Sequence, residues 1–127
     1  MNLSKYLYTE IVTVAIVVLC TIPVPEQAPM SDVPLIDKWV HMVMYGGLVF
    51  VMWVDRVVRN KQRFSGVARV VMLLYAAALG GAMELVQAYL TTCRSGDWVD
   101  FEADVVGALL GVWACVGLNW RLNNYSK

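Results

Sequence analysis

The sequence predicts an all-α membrane protein, a four-helix transmembrane bundle whose two termini lie on the cytoplasmic side. Of the 127 residues, 59% are hydrophobic and 16% are charged, and the mean hydropathy is +0.58. A soluble domain carries about 25% charged residues, and so short a chain cannot enclose this much apolar surface. The apolar residues also form four runs without the period-two alternation of barrel strands, which leaves helices as the spanning structure.

The chain is predicted to be a single domain, residues 1–127, with spans at about residues 7–22, 35–54, 67–90 and 101–120. The first run is short for a span, which needs about 20 residues. We interpret it as an uncleaved helix because no small-x-small cleavage site follows it; a cleaved signal peptide is the alternative. Residues 23–34 hold all four prolines and are predicted to form a loop. Trp39 and Trp53 flank the second run, which is typical of aromatic belts at membrane interfaces.

The basic residues give the predicted orientation. Eight of the ten lysines and arginines fall on one side of the four runs: Lys5, Arg56, Arg59, Lys61, Arg63, Arg69, Arg121 and Lys127. Only Lys38 and Arg94 fall on the other side. By the positive-inside rule both termini and the connector at residues 55–66 are expected in the cytoplasm. Most acidic residues lie toward the opposite, outer side.

Three of the runs carry polar residues at helical spacing near their outer ends. These sets are Asp37, His41 and Tyr45 on the second run, Gly80, Glu84 and Gln87 on the third, and Asp100, Asp104, Gly107, Gly111 and Ala114 on the fourth. Residues at such spacings share one face of a helix, so each helix presents a polar stripe that turns to small residues toward its middle. Small residues let membrane helices approach closely. We therefore expect the three stripes to enclose one polar pocket near the outer leaflet.

Each polar residue also has a simpler explanation. Glu84 is the hardest to explain structurally, because an ionisable group in a span costs roughly 2.5–3.5 kcal/mol and must be protonated, paired or catalytic. Asp104 lies a turn too deep to cap its helix, whereas Asp97 and Asp100 have an alternative role as N-terminal caps. His41 has an alternative role as an interhelical hydrogen-bond donor. The basic side chains of Lys38 and Arg94 either take part in the site or reach to the membrane interface.

Two segments resemble a known family. The stretch DKWVHMVMYGGL is similar to the D-K-x-x-H-x-x-x-Y motif of VanZ-like membrane proteins, and E-x-x-Q from Glu84 with the following arginine and aspartates resembles a second block of that family. Asp104 departs from the pattern, which has asparagine in D-x-x-x-N-x-x-G. The resemblance carries over Asp37, Lys38, His41, Glu84, Gln87, Arg94, Asp97 and Asp100, and with Tyr45 and Asp104 these are the predicted ligand-binding residues. It implies a bacterial cytoplasmic-membrane protein related to glycopeptide (teicoplanin) resistance proteins.

Three functions are compatible with such a site. The first is binding of an amphiphile, a lipid-linked cell-wall precursor, a phospholipid or a lipoglycopeptide, with Arg94 and Lys38 on phosphate or carboxylate groups. The second is a membrane-embedded enzyme acting on a lipid phosphate, with His41, Glu84 and Asp104 as catalytic candidates and a hard divalent cation among the carboxylates. The third is a small proton-coupled carrier that uses the same three residues as a relay. Binding is preferred because no nucleophile motif occurs; no metal ligand is assigned, no nucleic acid is expected, and the cofactor and oligomeric state are left open.

Overall fold

The protein is described by a computed structural model covering residues 5–21, 36–89 and 98–125, without the side chains of residues 20, 36, 37, 87 and 125. Within these ranges four α-helices follow one another: α1 (Leu7–Thr21), α2 (Ile36–Trp53), α3 (Gly66–Tyr89) and α4 (Trp98–Tyr125). A π-helical turn, Val54–Arg59, continues α2. All regular elements in the described ranges are therefore helical, which confirms the predicted all-α class.

Three of the helices are long and apolar enough to cross a membrane: Lys38–Arg59, Gly66–Val86 and Trp98–Asn124. Their length and composition indicate a membrane protein. The first helix has 15 residues, a length of about 22 Å at 1.5 Å per residue, whereas a bilayer core is about 30 Å thick. Its role as a fourth span, and the orientation of the bundle, stay predictions.

The second and fourth helices extend beyond their predicted limits. The second was expected to end at residue 54 but continues to Arg59, where the amide of Asn60 donates to the carbonyl of Asp55 at 3.1 Å. Trp53, just before this extension, is 4% exposed and packs in the core of the bundle. The sequence had predicted an aromatic side chain that faces the membrane interface. The fourth helix begins at Trp98 and places Asp100 in its first turn.

The helices alternate in direction, so that α2 and α4 run parallel to each other and antiparallel to α3. We call the end where α2 and α4 begin the site end, and the opposite end, where α1 and α3 begin, the connector end. The backbones of α2 and α4 touch directly: a Cβ added to Gly107 would lie 2.3 Å from the carbonyl oxygen of Met42, and one added to Gly111 would lie 2.9 Å from that of Gly46. The small residues on the predicted stripe thus allow the close approach expected of membrane helices.

The interior below this contact is apolar and closely packed. Its most deeply buried members are Tyr45, Leu48 and Val49 on α2 with Cys115 on α4, each 0% exposed. Ala114, which the sequence placed on the inward stripe, is exposed, because after Gly111 the inward face of α4 continues at i+4 and not at i+3. Large apolar side chains cover the outside of every helix, as a lipid-facing surface requires.

Candidate functional site

The centre of the polar stripes is a direct contact between α2 and α4. Nδ1 of His41 lies 2.7 Å from Oδ1 of Asp104, and the two side chains are 4% and 0% exposed. One turn further from the site end, Gly107 allows the two backbones to approach closely. The hydrogen bond therefore depends on the close approach of α2 and α4 that the glycine permits.

The third helix adds Glu84, which is 2% exposed. One ligand-type atom from each of His41, Glu84 and Asp104 can be chosen so that all three lie within 4.8 Å of one another. Gly80, one turn before Glu84 on the same face, makes room for Asp104: a Cβ added to it would lie 2.8 Å from Oδ2 of Asp104. Each of three helices thus contributes one buried ionisable side chain to one point.

A second ion pair lies nearer the site end. Nζ of Lys38 is 2.5 Å from Oδ1 of Asp100, and these side chains are 17% and 11% exposed. The other carboxylate oxygen of Asp100 is 3.8 Å from Nε2 of His41. The polar cluster is therefore graded, with Lys38 and Asp100 at an accessible rim and His41, Glu84 and Asp104 buried beneath them. We call these five residues the polar cluster.

The polar cluster concentrates negative charge where water is scarce. It holds three carboxyl groups, Glu84, Asp100 and Asp104, but only one lysine, Lys38. In addition, Oδ2 of Asp104 is inaccessible and has no hydrogen-bond partner among the described residues. A carboxylate in an apolar interior is costly, so the inner groups need a shared proton, a charged imidazole, a bound cation or a polar partner. Each of these outcomes is chemistry that a purely apolar bundle would not provide.

The structure thus brings together Lys38, His41, Glu84, Asp100 and Asp104 from the predicted set. Tyr45 is buried one turn below His41. Asp37 and Gln87 lie on α2 and α3, but their side chains are outside the described part of the chain, and so are Arg94 and Asp97 altogether. The predicted roles of these four residues are therefore still predictions.

The inner part of the polar cluster is buried, and the predicted polar pocket, which also involves residues outside the described part of the chain, stays a prediction. His41, Glu84 and Asp104 are no more than 3% exposed, so a ligand reaches the cluster from its rim. An open groove of about 390 Å³ runs beside it along α2 and α4, lined by Trp39, Met42, Val43, Gly46, Gly47, Gly107, Leu110 and Gly111. The groove is apolar and starts next to the rim, because Trp39 adjoins Lys38.

At the connector end lies a buried aspartate that was not predicted from the sequence. Asp55 is 0% exposed and accepts hydrogen bonds from the backbone amide and the hydroxyl of Thr9, both at 2.8 Å, and from Nη1 of Arg59 at 2.7 Å. Arg59 also stacks on the ring of Tyr8, 4.5 Å from its centroid. Asp55 therefore fastens α1 to the end of α2. The segment DRVVRNKQR was interpreted only as a basic connector; the acid at its start, four residues before an arginine, was the available signal.

A cavity of about 280 Å³ lies close to Asp55, between α1, α2 and α3. Its lining is mostly apolar but includes Glu10 and Arg56. Glu10 is only partly exposed, and its Oε1 is inaccessible without a hydrogen-bond partner in the described ranges. The connector end is thus a second region in which charged side chains lie beside apolar ones.

Comparisons with protein-family models, with curated proteins and with solved structures give no match for this chain. The site must therefore be interpreted from its own geometry.

Proposed function

We propose that this is a bacterial cytoplasmic-membrane protein that binds the head group of an amphiphile at the rim of the polar cluster, in the outer leaflet. The ligand class is a lipid-linked cell-wall precursor, a phospholipid or a lipoglycopeptide, and the bacterial cytoplasmic membrane is the location that the resemblance to VanZ-like proteins implies. The single observation that carries the proposal is the graded arrangement of the cluster, in which a partly accessible Lys38–Asp100 pair covers a buried histidine and two buried carboxyl groups.

The rim has the chemistry that a charged head group needs. Lys38 offers an ammonium group for a phosphate or carboxylate, and Asp100 offers an acceptor for an amine or hydroxyl group. Charge-assisted hydrogen bonds of this kind are roughly twice as strong as neutral ones. Because both side chains are only partly exposed, an incoming head group meets them with little competing water.

The adjacent groove supports the same ligand class. Its walls are apolar, it is open to the side, and it lies along the helix pair that carries Lys38 and Asp100. A molecule with a polar head and a hydrocarbon tail would fill both places at once, with its tail in contact with Gly47 and Leu110. A soluble metabolite would leave the groove unused.

The experiment that tests the proposal is mass spectrometry of lipids that copurify with the protein. We expect one lipid class to be enriched with the wild type and depleted with Lys38→Gln. Lys61→Gln is the matched control, since Lys61 is exposed on the connector. Equal lipid content in the wild type and both variants would contradict head-group binding at the rim.

A second variant tests the tail. A Cβ added to Gly47 meets nothing within 4 Å, so Gly47→Leu fills the groove without disturbing the packing of α2. We expect Gly47→Leu to lose the copurifying lipid while Gly47→Ala keeps most of it. If Gly47→Leu keeps all of the copurifying lipid, the groove does not bind the tail, and only head-group binding at the rim remains proposed.

The proposed location also requires the site end to face away from the cytoplasm. Reporter fusions at the C-terminus test this, because a fused green fluorescent protein is expected to fold and fluoresce there while a fused periplasmic alkaline phosphatase stays inactive. The opposite pattern would place the rim at the cytoplasmic surface and contradict an outer-leaflet ligand.

A second candidate function is acid–base catalysis on a lipid phosphate, favoured by the contact between His41 and Asp104. A carboxylate on Nδ1 orients an imidazole and leaves Nε2 for proton transfer, and Nε2 of His41 faces Asp100 at 3.8 Å. Release of phosphate from a lipid phosphate by purified wild-type protein, lost in His41→Gln, would favour catalysis. Copurification of an unchanged lipid without turnover would favour binding alone.

A further inference from the structure

We propose that His41, Glu84 and Asp104 bind a divalent transition-metal ion, with Zn²⁺ as the best match, between α2, α3 and α4. The proposal goes beyond amphiphile binding and does not depend on it. No metal ligand was predicted from the sequence, and the geometry of the three helices is the ground for this proposal.

The distances between the three side chains fit a metal site. One candidate ligand atom can be chosen from each of them so that all three atoms lie within 4.8 Å of one another. Ligands about 2.0–2.2 Å from a tetrahedral zinc ion lie about 3.4 Å apart, so small rotations of the side chains would complete the site. The residues come from three helices whose backbones are fixed by packing, which holds the ligands in place before the ion arrives.

The charges of the polar cluster also fit a cation. Lys38 lies 2.5 Å from Asp100, and Glu84 and Asp104 bring two further carboxyl groups to a histidine that is neutral when it binds metal. A dication bound between them would interact favourably with both carboxylates. This interaction matters because the three residues are at most 3% exposed in an apolar bundle.

One carboxylate oxygen of Asp104 is available to a metal ion. Oδ1 is hydrogen-bonded to His41, but Oδ2 is buried with no hydrogen-bond partner in the described ranges. Oδ2 lies on the side of α3, close to Gly80, and Glu84 follows one turn further along that helix. A buried acceptor without a hydrogen-bond partner calls for an explanation, and a bound cation would provide one.

The donor set indicates the metal class. One imidazole nitrogen with two carboxylate oxygens suits zinc and its first-row neighbours, whereas magnesium and calcium prefer sites made of oxygen alone. Three protein ligands also leave a fourth position open, as in catalytic zinc sites. If the proposed amphiphile binding is correct, that position is where a head-group oxygen entering past Lys38 and Asp100 would arrive.

The test is zinc binding to chelator-treated protein that carries a purification tag without histidine. We expect wild type to bind one Zn²⁺ per chain by elemental mass spectrometry, to melt at a higher temperature with Zn²⁺, and to be insensitive to Mg²⁺. Glu84→Gln and Asp104→Asn keep the side-chain shapes and should weaken binding by more than about tenfold, the loss that even an outer-shell partner causes. Glu102→Gln is the matched control, because Glu102 is an exposed carboxylate on α4.

X-ray absorption of the zinc-loaded wild type gives an independent measurement that does not require any variant to fold. Scattering by nitrogen and oxygen at about 2.0–2.1 Å with one imidazole ring is expected, and sulfur at about 2.3 Å would overturn the assignment. Wild type that neither holds nor is stabilised by zinc would overturn it too, as would zinc binding that Glu84→Gln and Asp104→Asn leave unchanged. These measurements do not depend on the lipid content of the protein. If either zinc binding or lipid binding is refuted, the other can therefore still be tested.

Discussion

Replacing Gly107 by alanine is the sharpest test of how α2 and α4 hold the polar cluster together. The added methyl carbon would lie 2.3 Å from the carbonyl oxygen, 2.7 Å from Cα and 2.9 Å from the carbonyl carbon of Met42. All three atoms belong to helical backbone, so none can rotate away as the end of a side chain would. The helices must separate instead.

The size of the effect follows from the distances. To restore an ordinary contact of 3.4 Å to the carbonyl oxygen of Met42, α2 and α4 must separate by about 1 Å, a gap that forfeits a quarter to a half of each affected van der Waals contact. Overpacking costs about 1–3 kcal/mol, and a backbone clash belongs at the upper end. The better helix propensity of alanine returns about 0.5–1 kcal/mol. We therefore expect Gly107→Ala to lower the free energy of unfolding by about 2 kcal/mol.

Equilibrium unfolding in mixed detergent micelles measures this loss, and Gly47→Ala is the control. A methyl group at Gly47 meets nothing within 4 Å, so only the propensity gain remains and this variant should be more stable by about 0.5–1 kcal/mol. The two substitutions are chemically identical, on neighbouring helices, and opposite in predicted sign. Equal stability of the two variants would contradict a close approach of α2 and α4 at Gly107.

Two further predictions concern the helix α1 and use the same unfolding measurement. Asp55→Ala removes the acceptor of three hydrogen bonds, from the amide and hydroxyl of Thr9 and from Arg59, so we expect a loss of about 3 kcal/mol, whereas Thr9→Val removes one of them and should cost about 1 kcal/mol. Equal losses would contradict a central role for Asp55. Tyr75→Phe removes an exposed hydrogen bond of 2.8 Å to Thr13 and should cost less than about 1 kcal/mol; a larger loss would mean that this contact, and not Asp55, holds α1.

The helical period was sufficient to predict which polar residues meet. His41, Glu84 and Asp104 were each assigned to the inward stripe of a different helix, and all three are buried in one cluster. The reason is that a fixed rise and rotation per residue relates sequence spacing to direction around a helix. A charged side chain in an apolar run is costly in contact with lipid. It is therefore expected to face the interior of the bundle, where polar partners are available.

Features set by contacts between helices could not be predicted in this way. The separation of α2 and α4 is set by backbone contact at Gly107, and it brings His41 and Asp104 into direct contact. The extension of α2 to Arg59 depends on the pairing of Asp55 with Thr9, which lies 46 residues away in the chain. Spacing along one helix contains no information on either distance.

The position of the Asp104 carboxylate gives a last prediction, on the contact between α3 and α4. A Cβ added to Gly80 would lie 2.8 Å from Oδ2 and 3.2 Å from Cβ of Asp104, whereas one added to Gly81 would reach only the ring of Phe101 at 3.5 Å, an ordinary contact. Gly80→Ala should therefore displace the carboxylate and lower the free energy of unfolding by about 1 kcal/mol after the propensity gain, while Gly81→Ala should be neutral or stabilising. The same unfolding measurement separates them, because the two glycines are adjacent on one helix and share a lipid environment. Equal stability of the two variants would mean that α3 does not confine Asp104, and the three-helix cluster would lose the contact that defines it.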